Sequence, residues 1–181
     1  PDFTMLELYW VYQDRDGLMD FVEKIITALV KEIKGMLQIN YQGQKIDFKT
    51  PWRRIKYHQI DFEKDKEKIF QPTFVVDHPV AMASLAKAKE IKPQYADRFQ
   101  LIVGGIELIN GFSELNDPLE QAKRFKSKLS QERMDKDFIE ALEYGMPPAA
   151  GLGMGIDRLI ILLTDSHSLR EAILFPTMRP R

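Results

Sequence analysis

Cysteine is absent from all 181 residues. That excludes a disulfide framework and any thiolate metal centre, and it suits a reducing cytoplasm. An excess of either charge is missing too: 26 lysines and arginines stand against 27 aspartates and glutamates, for a formal net charge of −1. Without a global basic field, any nucleic-acid contact would rest on a local patch. No apolar run approaches the ~20 residues needed to span a bilayer, and the N-terminus shows no signal-peptide pattern. The expected location is therefore cytoplasmic, with no membrane partner. No Gly-Lys-Ser/Thr occurs, which excludes a P-loop, and no Ser/His/Asp or Cys/His constellation offers a covalent nucleophile. The first residue is Pro1 rather than methionine, inside an extended pattern, so the chain is expected to be a piece of something longer.

What is present is a chain with 44% apolar residues, enough for one domain with a real core. The stretch Arg98–Pro118, RFQLIVGGIELINGFSELNDP, organises the rest. Two apolar runs flank Gly104-Gly105, a pair that tolerates positive φ and reads as a hairpin turn. If Leu108–Glu114 is extended, the period of two places Asn110, Phe112 and Glu114 on one face. An amide, an aromatic ring and a carboxylate suit either a pocket wall or an edge strand facing water. Asp117 is positioned to cap a helix that starts at Pro118.

Phe3–Tyr12 alternates in a related way. Phe3, Met5, Glu7 and Tyr9 share one face, while Thr4, Leu6, Leu8 and Trp10 form the better core face. Leu18–Met36 has helical apolar spacing and Gly35 near its end. Leu37–Phe48 reads as a hairpin about Gln42-Gly43, Thr50–Tyr57 as a short strand, and Asp61–Phe70 as a charged connector. Pro72–Asp77 suits a buried strand, and Lys87 and Lys89 are expected to face solvent. Helices are expected at Pro118–Arg133, with Leu119, Ala122, Phe125 and Leu129 as the stripe, and at Phe138–Tyr144. Ala149–Leu163 reads as a small-residue strand turning into a helix. Its alternating Gly151, Gly153 and Gly155 leave the backbone open to close approach, and Arg158 in the first helical turn favours a polyphosphate.

The segment GGIELINGFSELNDP resembles a signature of class II lysyl-tRNA synthetases. PDFTMLELY resembles the second half of the class's motif 2, GLGMGIDRL resembles motif 3, and the three occur in the family's order. The resemblance weakens over Asp61–Phe70 and Val80–Glu90. It implies an α+β fold, the class II aminoacyl-tRNA synthetase core, with an antiparallel β-sheet flanked by α-helices. Residues 1–181 would form a partial catalytic domain with an abbreviated insertion near 58–71, no motif 1, no first half of motif 2 and no anticodon-binding domain.

The activity implied is that of a lysine–tRNA ligase. ATP activates L-lysine to lysyl-adenylate, and the lysyl group passes to tRNA(Lys). Two alternatives stand beside it. One is a paralogue that lysylates an elongation factor, whose matching segment reads histidine and threonine at the places of Ser113 and Asn116. The other is a truncated or redesigned core that binds ligand without turnover. The resemblance assigns Glu7, Tyr9, Asn110, Phe112 and Glu114 to lysine, and Phe3, Gly155 and Arg158 to ATP, with Arg158 as the catalytic group. It assigns Glu107 to Mg²⁺, where the usual partner carboxylate is Gln100 here. Glu107 has the opposite strand parity to Asn110, so a bulge or strong twist is needed to unite them. The family is homodimeric through motif 1, and with that segment absent the chain alone is expected to show little activation.

Overall fold

The computed structural model describes residues 3–128 and 135–176. Six strands form the main sheet: β1 (Met5–Val11), β4 (Arg53–Lys56), β5 (Thr73–Val76), β6 (Arg98–Val103), β7 (Ile106–Ser113) and β8 (Ala149–Gly155). Their spatial order is β1-β8-β7-β6-β5-β4. Every pairing is antiparallel except β4 with β5, which is parallel. A separate hairpin joins β2 (Gln38–Tyr41) to β3 (Gln44–Asp47). The four strands expected to be neighbours, β1, β8, β7 and β6, are contiguous.

The sheet is asymmetric because its two faces carry different residues. One face packs under α1 (Arg15–Lys34), whose Leu18, Met19, Val22, Ile26 and Val30 are all buried in the main core. Each such side chain contributes roughly 1.5–3 kcal/mol through its burial. Phe74, Phe99, Leu101 and Ile109 meet them from the strands. The other face holds the polar and small residues. At the β4–β5–β6 end it is closed by Tyr57, Ile60, Phe62 and Ile69 packing on Ile55, Val75 and Ile102. That cover comes from the turn after β4 and from the charged connector, which includes the short helix α2 (Phe62–Asp65).

The remaining helices follow the expected order: α3 (Pro118–Lys128), α4 (Lys136–Glu143), α5 (Ile156–Thr164) and α6 (Leu169–Ala172). Leu119, expected in the α3 stripe, is 79% exposed, while Leu129 and the family-like ending beyond residue 176 lie outside the described residues. Asp117 Oδ1 accepts from the Leu119 and Glu120 amides, as the N-cap reading requires.

Three expectations are corrected here. The first helix begins at Arg15, not Leu18, because Asp14 caps it by accepting from Gly17 N at 2.8 Å. Leu6 and Trp10 are not core residues; β1 lies at the sheet edge, where Trp10 packs edge-on to Phe21 and stays 41% exposed. Lys89 turns inward to an ion pair with Asp77 rather than facing solvent.

Candidate active site

The open face of the sheet collects the polar strand residues, and the register shows how. Glu7 lies opposite Gly153, which lies opposite Asn110, which lies opposite Gln100. One step along, Tyr9, Gly151, Phe112 and Arg98 form a second row. Laterally paired residues point to the same face, so both rows line one surface.

Glycines between the polar strands are what let the side chains meet. A Cβ on Gly151 would stand 2.2 Å from Glu114 Oε1 and 2.9 Å from Cδ1 of Tyr9. The Glu114 carboxylate and the Tyr9 ring thus both lie over a bare backbone position. The Tyr9 hydroxyl donates in turn to Glu7 Oε2 at 3.5 Å. Glu7, Tyr9 and Glu114 are therefore joined on one face.

Glu114 has no salt-bridge partner among the described residues. Burial pushes its carboxyl up to about 7. Burial also raises the Tyr9 phenol, with the charges of Glu7 and Glu114 adding to it.

Glu107 joins this face through a β-bulge. The β6–β7 register shifts between Leu101 and Ile102, so Leu101 faces Ile109 while Ile102 faces Glu107. Leu108 is the extra residue. Two β7 residues separate Glu107 from Asn110, but only one β6 residue separates their partners, and the parity conflict in the sequence disappears.

Gln100 lies two residues from Ile102, the β6 partner of Glu107. It is buried, and its Oε1 lies 2.7 Å from Nε2 of His78. The ring stays neutral, because burial and the Arg98 charge lower the His78 pKa to about 4.

At the other end of β8, α5 begins beside the start of β1. Asp157 Oδ2 accepts from Thr4 N at 2.6 Å, and Ile156 N donates to Thr4 O at 3.0 Å. These bonds hold Phe3, 72% exposed, at the N-terminal end of α5. Arg158 is exposed, its side chain passes over Gly155, and its Nη1 donates to Glu107 O at 2.6 Å. An aromatic face, a guanidinium, a helix N-terminus and a carboxylate therefore lie along one edge of the site.

Beyond Glu114 lies a cavity of about 780 Å³, lined among others by Arg15, Asp77, Lys87, Lys89 and Asp97. It borders Glu114 rather than lying over Glu7 and Tyr9. Arg15 is buried, and its guanidinium reaches Asp16 at 3.0 Å, Asp97 at 3.3 Å and Asp77 at 3.5 Å. Burial works to raise the Asp77 carboxyl, but its bond to Lys89 and the charges of Lys89 and Arg15 outweigh that and lower it.

The sequence reading missed Asp157, Arg98 and this Arg15 cluster. Asp157 had a legible signal, an acid in the first turn of a helix. Arg15 is hidden in the sequence because Asp14-Arg15-Asp16-Gly17 has the composition of a turn.

Comparison with known proteins fits this geometry. A model described as tRNA synthetases class II (D, K and N) matches residues 1–179. The chain belongs to this family. The relatives it resembles are named lysine–tRNA ligase. The Moorella thermoacetica protein is 39% identical over 231 residues, covering 100% of this chain and 47% of its own length. That of Fervidobacterium nodosum is 40% identical, covering 99% of this chain and 45% of its own length. For the Thermotoga maritima protein the figures are 38%, 100% and 45%. The chain thus spans about half the length of the curated relatives it matches. The fold is the class II synthetase core, with its mostly antiparallel sheet and flanking helices. No described helix is long and apolar enough to cross a membrane.

Proposed function

We propose that this chain is a catalytic portion of a lysine–tRNA ligase. Such an enzyme joins lysine to ATP as lysyl-adenylate and then transfers the lysyl group to tRNA(Lys). The observation that carries the reading is the uncompensated carboxylate of Glu114, half-buried beside Tyr9 over Gly151. Lysine brings the missing charge on a four-carbon stem, for which Phe112 supplies a wall. Tyr9 adds an oxygen to share the ammonium's protons, and Glu7 completes the row. The names of the relatives agree with this substrate.

Adenine is placed against Phe3 and the phosphates near Arg158 and Gly155, where the start of α5 favours negative charge. The reaction attacks the α-phosphorus with the amino-acid carboxylate. The protein's work is positioning and charge neutralisation rather than covalent catalysis. Arg158 is the group assigned to the charge that builds on phosphate.

Magnesium, when bound, neutralises and orients the phosphates. The donor set fits a one-carboxylate mode: Glu107 stands on the site face and would hold the ion together with the nucleotide's phosphates. Gln100 is engaged by His78 and is left out of the shell.

Calorimetric titration of lysine, norleucine and ATP tests the reading. Norleucine has the stem without the ammonium, so it should bind at least on the order of 10²-fold more weakly, as expected where a buried polar partner is left unpaired. Glu114→Gln should remove most lysine affinity and leave ATP affinity unchanged. Equal binding of lysine and norleucine would overturn the assignment.

A further inference from the structure

Arg98 opens β6 on the site face, half-buried, and the ligase reading assigns it no part. Its Nε donates to Asn110 Oδ1 at 2.8 Å. The register explains the contact: Arg98 lies opposite Phe112 and Gln100 opposite Asn110, so the guanidinium reaches diagonally along the site face. Arginine has five donors and no acceptor. Only one carboxamide orientation is compatible with that neighbour, and it turns Oδ1 toward Arg98. The two Nδ2 hydrogens of Asn110 have no protein acceptor among the described residues and are left for a ligand. Beside Asn110 stands Gly153, whose lack of a side chain keeps the row open toward Glu7.

A group that can only donate does not complement an ammonium. It complements a carboxylate or a phosphate oxygen. Glu114 takes the ammonium end of the substrate, so Asn110, earlier on the same face, meets the opposite end. We infer that Arg98 is a positioning residue, one that holds Asn110 as a hydrogen-bond donor toward the carboxylate of the amino-acid substrate. The inference rests on the ligase reading for its ligand, but the lock on Asn110 is a property of the free protein. The charged groups facing Arg98 agree with the role. Burial pulls its pKa below the ordinary value while the nearby Glu107 charge pushes it back, so the cation persists.

Two measurements test this. The first is ¹⁵N relaxation of the Asn110 carboxamide in the free chain. It should be ordered in the wild type, loosened in Arg98→Met and largely restored in Arg98→Lys. The second is titration of lysine and of cadaverine, which keeps both amines but lacks the carboxylate. Arg98→Met should weaken lysine on the order of tenfold and change cadaverine and ATP by less than about twofold. Asn110→Asp keeps a partner for Arg98 yet removes the donors, and it should cost lysine affinity while sparing cadaverine.

An Asn110 carboxamide equally ordered with and without Arg98 would overturn the lock. Equal losses for lysine and cadaverine would overturn the carboxylate assignment. A wild type that binds neither amine overturns the ligase reading, and relaxation then decides the role of Arg98 by itself.

Discussion

A single carboxylate sets the chemistry of this face, and its behaviour with pH is the most direct probe of it. Glu114 titrates near 7 because burial disfavours its charged form. In the ligase reading lysine pairs with that charge through its ammonium, which stays protonated far above neutrality. Lysine affinity should therefore climb as pH rises from 6 to 8, by on the order of tenfold, as the carboxyl gives up its proton. Glu114→Gln should show a flat profile over the same range, and calorimetry at several pH values checks both. The pairing of Asn110, Phe112 and Glu114 was legible from strand alternation alone. The elevated pKa was not, because it depends on what covers the carboxylate. Tyr9 is distant from Glu114 in the sequence and reaches it only across the β1–β8–β7 rows.

Among the elements, β8 has the tightest constraint. Gly151 leaves room for Glu114 and Tyr9, and an alanine methyl there would collide with both. Gly151→Ala should displace the carboxylate and cut lysine affinity by at least about tenfold. ATP affinity should stay within about twofold, because Phe3 and Arg158 lie at the other end of β8. Titrating both ligands against this variant checks the split. The α1 helix offers a separate test of local structure. Asp14 accepts from Gly17 N, so Asp14→Ala should destabilise the fold by about 1 kcal/mol, measured by urea unfolding. Most elements were readable from periodicity, including the glycine hairpin at Gly104-Gly105, where both φ values are positive, at 58° and 74°. The start of α1 was read late because Asp14-Arg15-Asp16-Gly17 has the composition of a turn. In the structure the same residues form a capped first turn, a choice made by Asp14 and by the buried ion pairs of Arg15.

At the scale of the whole molecule, the Glu114 proton also links to folding. Its pKa is about 7 in the folded chain against 4.5 for the free group. Between those values the folded state holds more protons than the unfolded state, so stability falls as pH rises through the window. Glu114→Gln should remove this component, and the difference in unfolding midpoint between variant and wild type should grow from pH 4.5 to 7. Urea unfolding at a series of pH values measures it.

The sequence by itself determined the order of the strands and helices, the turn chemistry, the apolar stripe of α1 and the family motifs, because each is encoded in residues close together in the chain. Only the tertiary structure decided which polar residues share a surface. Leu108 bulges out of register and brings Glu107 round to Asn110. His78 lies against the buried amide of Gln100. Arg98 orients Asn110, and Asp157 ties Thr4, the residue after Phe3, to the start of α5. Each of these joins residues from different strands or loops. Local pattern specifies which face a side chain takes along its own strand, but pairing register and burial specify what it meets there.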